Sequence, residues 1–187
     1  IEAIRESDLL ICIAPHYAHA YYSKAFVTYN FYLTNPRKIS KKLLLNKAER
    51  AARKAIKFSP DMADYWTLLA AILFEEGYCC KSIVSRDIRE FFKKEKVYRL
   101  YWLEALQAIE ESLKIEPDCV ESIHLQALIF NKLNQKEQAK ITLFRQTLKL
   151  SLFEKQQHPT THIYLGWLLL DENDREQALE HFIFAFK

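Results

Sequence analysis

The residues best suited to chemistry are a few histidines and cysteines. His158 and His162 stand four apart, the spacing at which two helical imidazoles can share a zinc ion. Pro159 lies between them, no glutamate completes an H-E-x2-H pattern, and no third ligand stands out, so no metal is expected. His16 and His19 straddle the start of a helical pattern and read as capping or packing residues. Cys79 and Cys80 are adjacent, but with Cys12 and Cys119 they form neither a C-x2-C pair nor a disulfide framework. Free, partly buried thiols in a reducing compartment are the expectation. The chain has two glycines, Gly77 and Gly166, too far apart for a phosphate-cradling loop. No nucleophile with its base is singled out, so the chain is expected to have no catalytic site and no cofactor.

Surface charge offers a second kind of chemistry. Between Asn35 and Lys57 nine basic residues stand against one acid. Arg37, Lys38, Lys41, Lys42, Arg50, Arg53, Lys54 and Lys57 could meet nucleic acid or an anionic surface. A further basic stretch covers 81–99. The plainer reading is a solvated outer helix face, because the charges flank an alanine stripe. Nucleic acid is therefore not expected as the ligand.

The elements that would carry these residues are helical throughout. Half of the 187 residues are hydrophobic, 13% are aromatic, and glycine and proline are scarce. Ala48, Ala52 and Ala55 recur at i, i+4 and i+7, a narrow stripe that admits a close neighbouring helix. Pro60 ends that pattern, and Asp61 is placed to cap the next helix. There Trp66, Leu69, Ala70 and Leu73 again share a face. Neither helix can bury its apolar stripe alone.

This alternation resembles the tetratricopeptide repeat (TPR) of bacterial type, whose 34-residue unit pairs W-x2-L-G-x2-Y with A-x3-F-x2-A and a final proline. Trp66-x2-Leu69-Ala70-x2-Leu73 matches the first half and Ala48-x3-Ala52-x2-Ala55-x4-Pro60 the second. The rhythm recurs in Ala178-x3-Phe182-x2-Ala185, in Ala105, Ile109, Ser112 and Pro117, and in the twelve-residue spacings Ala127–Ala139 and Gly166–Ala178. The resemblance implies an all-α fold, a right-handed α-solenoid of stacked antiparallel helix pairs. Trp66, Leu69, Leu73, Ala105, Ala127, Ala139, Leu165, Ala178 and Phe182 are expected to be buried in it.

The chain reads as one repeat domain over 1–187, a piece of a longer protein. Residues 1–17 would be the second helix of a partial repeat. Repeats follow at 18–62, with about eleven extra residues, at 63–119, with about twenty-three, and at 120–158 and 159–187. The longest excess, Tyr78 to Tyr101, has Val84, Ile88, Phe91 and Phe92 on one face, so an extra inserted helix or a helical extension is expected. Asp118 and Glu121 have capping-box spacing, and Pro159 suits a first helical position.

In this family the first helices line a concave groove. Carried over by position, the groove residues are Tyr22, Phe26, Tyr29, Phe74, His124, Leu128, Ile163 and Trp167. They are mostly aromatic or aliphatic, not the Lys, Arg and Asn set that clamps a terminal carboxylate. The resemblance thus implies a scaffold for an apolar or amphipathic protein segment. Self-association through uncapped solenoid ends is a further expectation, as is regulation of an enzyme domain outside this chain. No stretch is long and apolar enough to span a bilayer, so the expected location is cytoplasmic, including the cytoplasmic part of a membrane-associated protein.

Overall fold

The computed structural model describes residues 2–34, 41–81, 88–143, 159–171 and 173–186, with backbone alone for 81 and 88–96. The helices are α1 (Glu2–Ile13), α2 (Ala18–Thr34), α3 (Lys41–Phe58), α4 (Ala63–Lys81), α5 (Ile88–Ile115), α6 (Val120–Lys132), α7 (described over 136–143), α8 (Pro159–Asp171) and α9 (Arg175–Ala185). Among the described residues there is no strand. The chain divides into two compact units, Ile1–Pro117 and Asp118–Lys187.

In the first unit each helix packs on the next, from α1 through α5, and α2 also touches α4. That is the pattern of helix pairs laid side by side, with α2 and α4 as first helices and α3 and α5 as second helices. The alanine stripe explains the closeness of α3: Ala48, Ala52 and Ala55 are at most 1% exposed, with Leu45, Ala51 and Ile56 beside them, while Lys47, Arg50, Arg53, Lys54 and Lys57 are exposed. Burying six such side chains, several of them small, contributes on the order of 0.8 kcal/mol per buried methyl or methylene. Arg53 ties α3 to α5 by bonding Glu49 at 2.8 Å and Glu104 at 2.5 Å. On α5, Ala105, Ile109 and Ser112 are all fully buried, and the Ser112 hydroxyl lies 2.8 Å from that of Thr67 on α4.

The second unit is built around Ala127 on α6, Ala139 and Leu143 on α7, and Leu165 and Leu168 on α8, with Phe130 and Tyr164 against them. Gly166 lets α9 come close: a Cβ there would lie 2.7 Å from the Phe182 ring, which would have to turn aside. Asn134 after α6 and Asn173 after α8 take positive φ, 66° and 69°, which asparagine tolerates better than most residues. Asp174 then caps α9 by accepting from the Gln177 amide at 3.3 Å.

Seven of the nine expected core positions are buried, and the other two differ for local reasons. Trp66 is half-buried because its indole Nε1 donates to Pro60 O at 2.8 Å, laying the ring over the α3–α4 turn. Phe182 is half-buried because its ring packs edge-on against Trp167, itself an exposed residue, at 5.7 Å. Both expected caps move as well. Met62, not Asp61, precedes α4, and Asp61 instead accepts from the Ser59 hydroxyl at 2.6 Å, which holds its carboxyl below the usual range. The N-cap of α6 is Cys119, without a side-chain cap bond, so Asp118 falls one residue too early to cap it.

The long excess takes the form of helical extension: α4 runs on to Lys81, and α5 is 28 residues long from Ile88. Val84 lies outside the described residues, and for Ile88, Phe91 and Phe92 the backbone alone is described.

Candidate functional site

The first helices carry the candidate surface, and its character follows from α2. That helix, AHAYYSKAFVTYNFYLT, has aromatic residues around most of its circumference. Ala20, Tyr21, Ala25, Thr28 and Tyr32 take the inner side, which leaves Tyr22, Phe26 and Tyr29 on another. Tyr22 stacks on Tyr65 of α4 with ring centroids 4.9 Å apart, and on Phe26 at 6.1 Å. His19 joins the row, 5.4 Å from Tyr22, with its Nδ1 3.5 Å from the Tyr65 hydroxyl. The row ends in Phe26, which is 47% exposed. Burial, and then the Asp64 charge, pushes the Tyr22 phenol up, and burial likewise raises Tyr29. These hydroxyls therefore stay protonated at neutral pH, and the face is uncharged where it is aromatic.

Phe74 lies deeper than an exposed groove residue would. It is 8% exposed, its ring meets Tyr78 edge-on, and its carbonyl accepts from the Trp102 indole. Tyr29 is half-buried and stacks on Tyr32 at 6.1 Å. In this unit the structure brings Tyr22 and Phe26 together, and it adds His19 and Tyr65. Sequence reasoning assigned Tyr65 to no role. Its position one residue before Trp66, on the face of α4 turned to α2, was the available signal.

In the second unit His124 is 8% exposed and its Nε2 is 2.6 Å from the Thr161 hydroxyl, so it ties α6 to α8 from beneath the surface. Leu128 and Trp167 line one shallow hollow together with Tyr164 and Leu168. Trp167 is 60% exposed, held edge-on by Phe182 at 5.7 Å, and Ile163 is half-buried. Four of the expected residues thus form two small clusters, Tyr22 with Phe26 and Leu128 with Trp167, each on the first helices of its own unit.

His162 does not stand ready for a metal. Its Nδ1 is 2.8 Å from Nδ1 of His181 and its ring stacks on Phe184. No group of three or more metal-ligating side chains occurs among the described residues, and His158 lies outside them. Burial lowers both imidazoles, and for His162 the neighbouring His181 lowers it further. A lowered histidine resists the proton that the unfolded chain accepts, so stability is full above the unfolded value near 6.5 and falls as the pH drops below it. Urea melts at pH 7.5 and 5 are expected to show the wild type weakened at the lower pH, and His181→Gln to show less of that loss. A His181→Gln variant as pH-sensitive as the wild type would count against the pair.

No family model matches the sequence, and no curated protein matches it. Solved structures do. A crystal structure of MamA covers 98% of this chain and 84% of its own, with 11% identity and a TM-score of 0.64. A thermophilic TPR protein of Thermus thermophilus, TTC0263, aligns with 97% of this chain and 79% of its own at 16% identity and a TM-score of 0.68. A double mutant of MamA RS-1 gives 99% and 82%, with 16% identity and a TM-score of 0.66. The chain has the fold of a TPR-like helical-repeat protein. No helix among its described residues is long and apolar enough to cross a membrane.

Proposed function

We propose that this chain is a non-enzymatic, protein–protein interaction scaffold, cytoplasmic in location, whose first-helix faces hold an apolar or amphipathic segment of a partner protein. The observation that carries the reading is the stacked row His19, Tyr65, Tyr22, Phe26, which ends in an exposed ring on the face where this fold presents ligands. Rigid aromatic rings give contact area at little cost in side-chain entropy. Leu128 and the exposed Trp167 supply a second apolar cluster of the same kind. Within the first unit Phe74 lies beneath this face and Tyr29 is half-buried beside it; within the second His124 lies beneath and Ile163 is half-buried.

The rival reading, an anionic ligand on the basic helix, is weakened by how α3 uses its charges. Lys41 and Lys54 sit over the Tyr32 and Tyr21 rings at 5.2 and 5.4 Å, and Arg53 is held by two glutamates. Arg37 and Lys38, and the side chains of 81–96, lie outside the described residues.

Photocrosslinkers at Phe26, Trp167, Arg50 and Lys57 in the full chain separate the two. Adducts with protein are expected from Phe26 and Trp167, persisting in high salt, and those at Phe26 are expected to be lost when Tyr22→Asp disrupts the row. Adducts concentrated at Arg50 and Lys57, abolished by nuclease or by salt, would favour the basic face instead, since phosphate contacts weaken steeply with salt.

A further inference from the structure

A cavity of about 520 Å³, open to solvent on one side, lies in the first unit, lined by the ends of α2 and α4, the start of α3 and Tyr101 of α5. That volume is in the range of small-molecule sites. Its wall is largely apolar, with Leu45 and the Tyr32, Tyr78 and Tyr101 rings contributing. Into this wall is set one carboxyl group, Glu76, which is 4% exposed and has no hydrogen-bond partner at Oε2. Its other oxygen is provided for: with the Asn46 amide turned to donate, the nitrogen lies 3.1 Å from Oε1 and 3.2 Å from Lys42 O. A buried polar atom without a partner costs about 1–3 kcal/mol, and the side chain that carries this one lines the cavity.

Charge narrows what that guest can be. Lys41 and Lys42 line the same cavity and oppose a cation, while an anion would meet a buried carboxyl. Burial, and then repulsion from Glu49, raises the Glu76 carboxyl to about 7 against the pull of Arg53 and Lys42, so both of its protonation states are present near neutrality. A hydroxyl or amide satisfies either state, donating to the carboxylate or accepting from the acid. The remaining polar groups are neutral or engaged: burial raises the Cys80 thiol and the Tyr101 phenol, and the Tyr32 hydroxyl donates to Glu75 at 2.7 Å.

We propose that this cavity binds a neutral, mainly apolar small molecule bearing one hydroxyl or primary amide group, which hydrogen-bonds the Glu76 carboxyl as that side chain turns toward it. The site is separate from the aromatic faces and does not depend on their partner.

The test is a titration of the full chain with benzyl alcohol, benzamide and toluene, followed by backbone amide shifts. The alcohol and the amide are expected to move Glu76, Cys79 and Cys80 and to bind about tenfold more tightly than toluene, the worth of one hydrogen bond to this acid. In Glu76→Leu that preference should vanish, with toluene binding as well as the alcohol. In Cys80→Phe, where a ring takes up part of the cavity, all three should bind more weakly. Equal affinity for benzyl alcohol and toluene in the wild type, shifts centred elsewhere, or no binding of any probe would overturn the proposal. The wild-type comparison decides it even if a variant fails to fold.

Discussion

Gly77→Ala is expected to destabilise the protein by about 1–3 kcal/mol, the usual cost of forcing extra volume into a packed interior. The reason lies on α5. A Cβ at Gly77 would sit 2.7 Å from Trp102 Cδ1 and 3.0 Å from Cε2, and closer still to Nε1. The indole cannot yield, because Trp102 is 1% exposed, Tyr98 and Tyr78 flank its ring, and its Nε1 donates to Phe74 O at 3.2 Å. Moving it also strains a buried hydrogen bond, worth about 1 kcal/mol. Alanine's better helix propensity returns roughly 1 kcal/mol, so the net effect is smaller than the clash itself. Denaturant melts should show the loss, and Trp102→Phe in the Gly77→Ala background should recover part of it by making room. A Gly77→Ala protein as stable as the wild type would show that α4 and α5 are not packed this closely. Gly166→Ala should cost less, since Phe182 is half-buried and its ring can swing toward solvent.

Ala178→Glu is expected to cost about 3 kcal/mol or more in the second unit, because it places a carboxylate without a partner in a packed helix contact. Ala178 is 0% exposed on α9, which packs along α8. Ala178→Gly serves as the control, where the loss should stay near the roughly 1 kcal/mol of helix propensity. Hydrogen exchange of α8 amides in each variant reads the effect locally. Unchanged protection of α8 in Ala178→Glu would mean that the helical register of α9 differs from the one described.

Both predictions concern small residues, but the sequence marked only Ala178, with Gly166, as part of a packing pattern. The twelve-residue spacing from Gly166 to Ala178 is legible because two helices crossing closely need small residues at a fixed separation along the chain. Gly77 carries no comparable signal in the sequence. Its purpose depends on Trp102, twenty-five positions later on a different helix, just past the stretch whose excess length hid the pairing. The candidate site divides in the same way. That α2 is aromatic on too many sides for a single contact is evident from its residues. Which rings stack across to α4, and that Phe74 and His124 end up beneath the surface, follows from how α4 and α6 are rotated against their neighbours.

By itself the sequence determined that this chain is a series of amphipathic helices paired through alanine and glycine stripes and punctuated at Pro15, Pro60 and Pro117. Those features depend on near neighbours: 3.6-residue periodicity, the missing amide of proline and the size of one side chain. Tertiary structure decided what depends on distant partners. It set Tyr65 under Tyr22, turned His162 toward His181, and closed Trp102 over Gly77. It also left Glu76 facing a cavity with one oxygen unpaired. In the sequence, EEG at the middle of an apolar helix gives no sign of which acid is buried, because Tyr32, which takes up Glu75, and Asn46, which faces Glu76, come from two other helices.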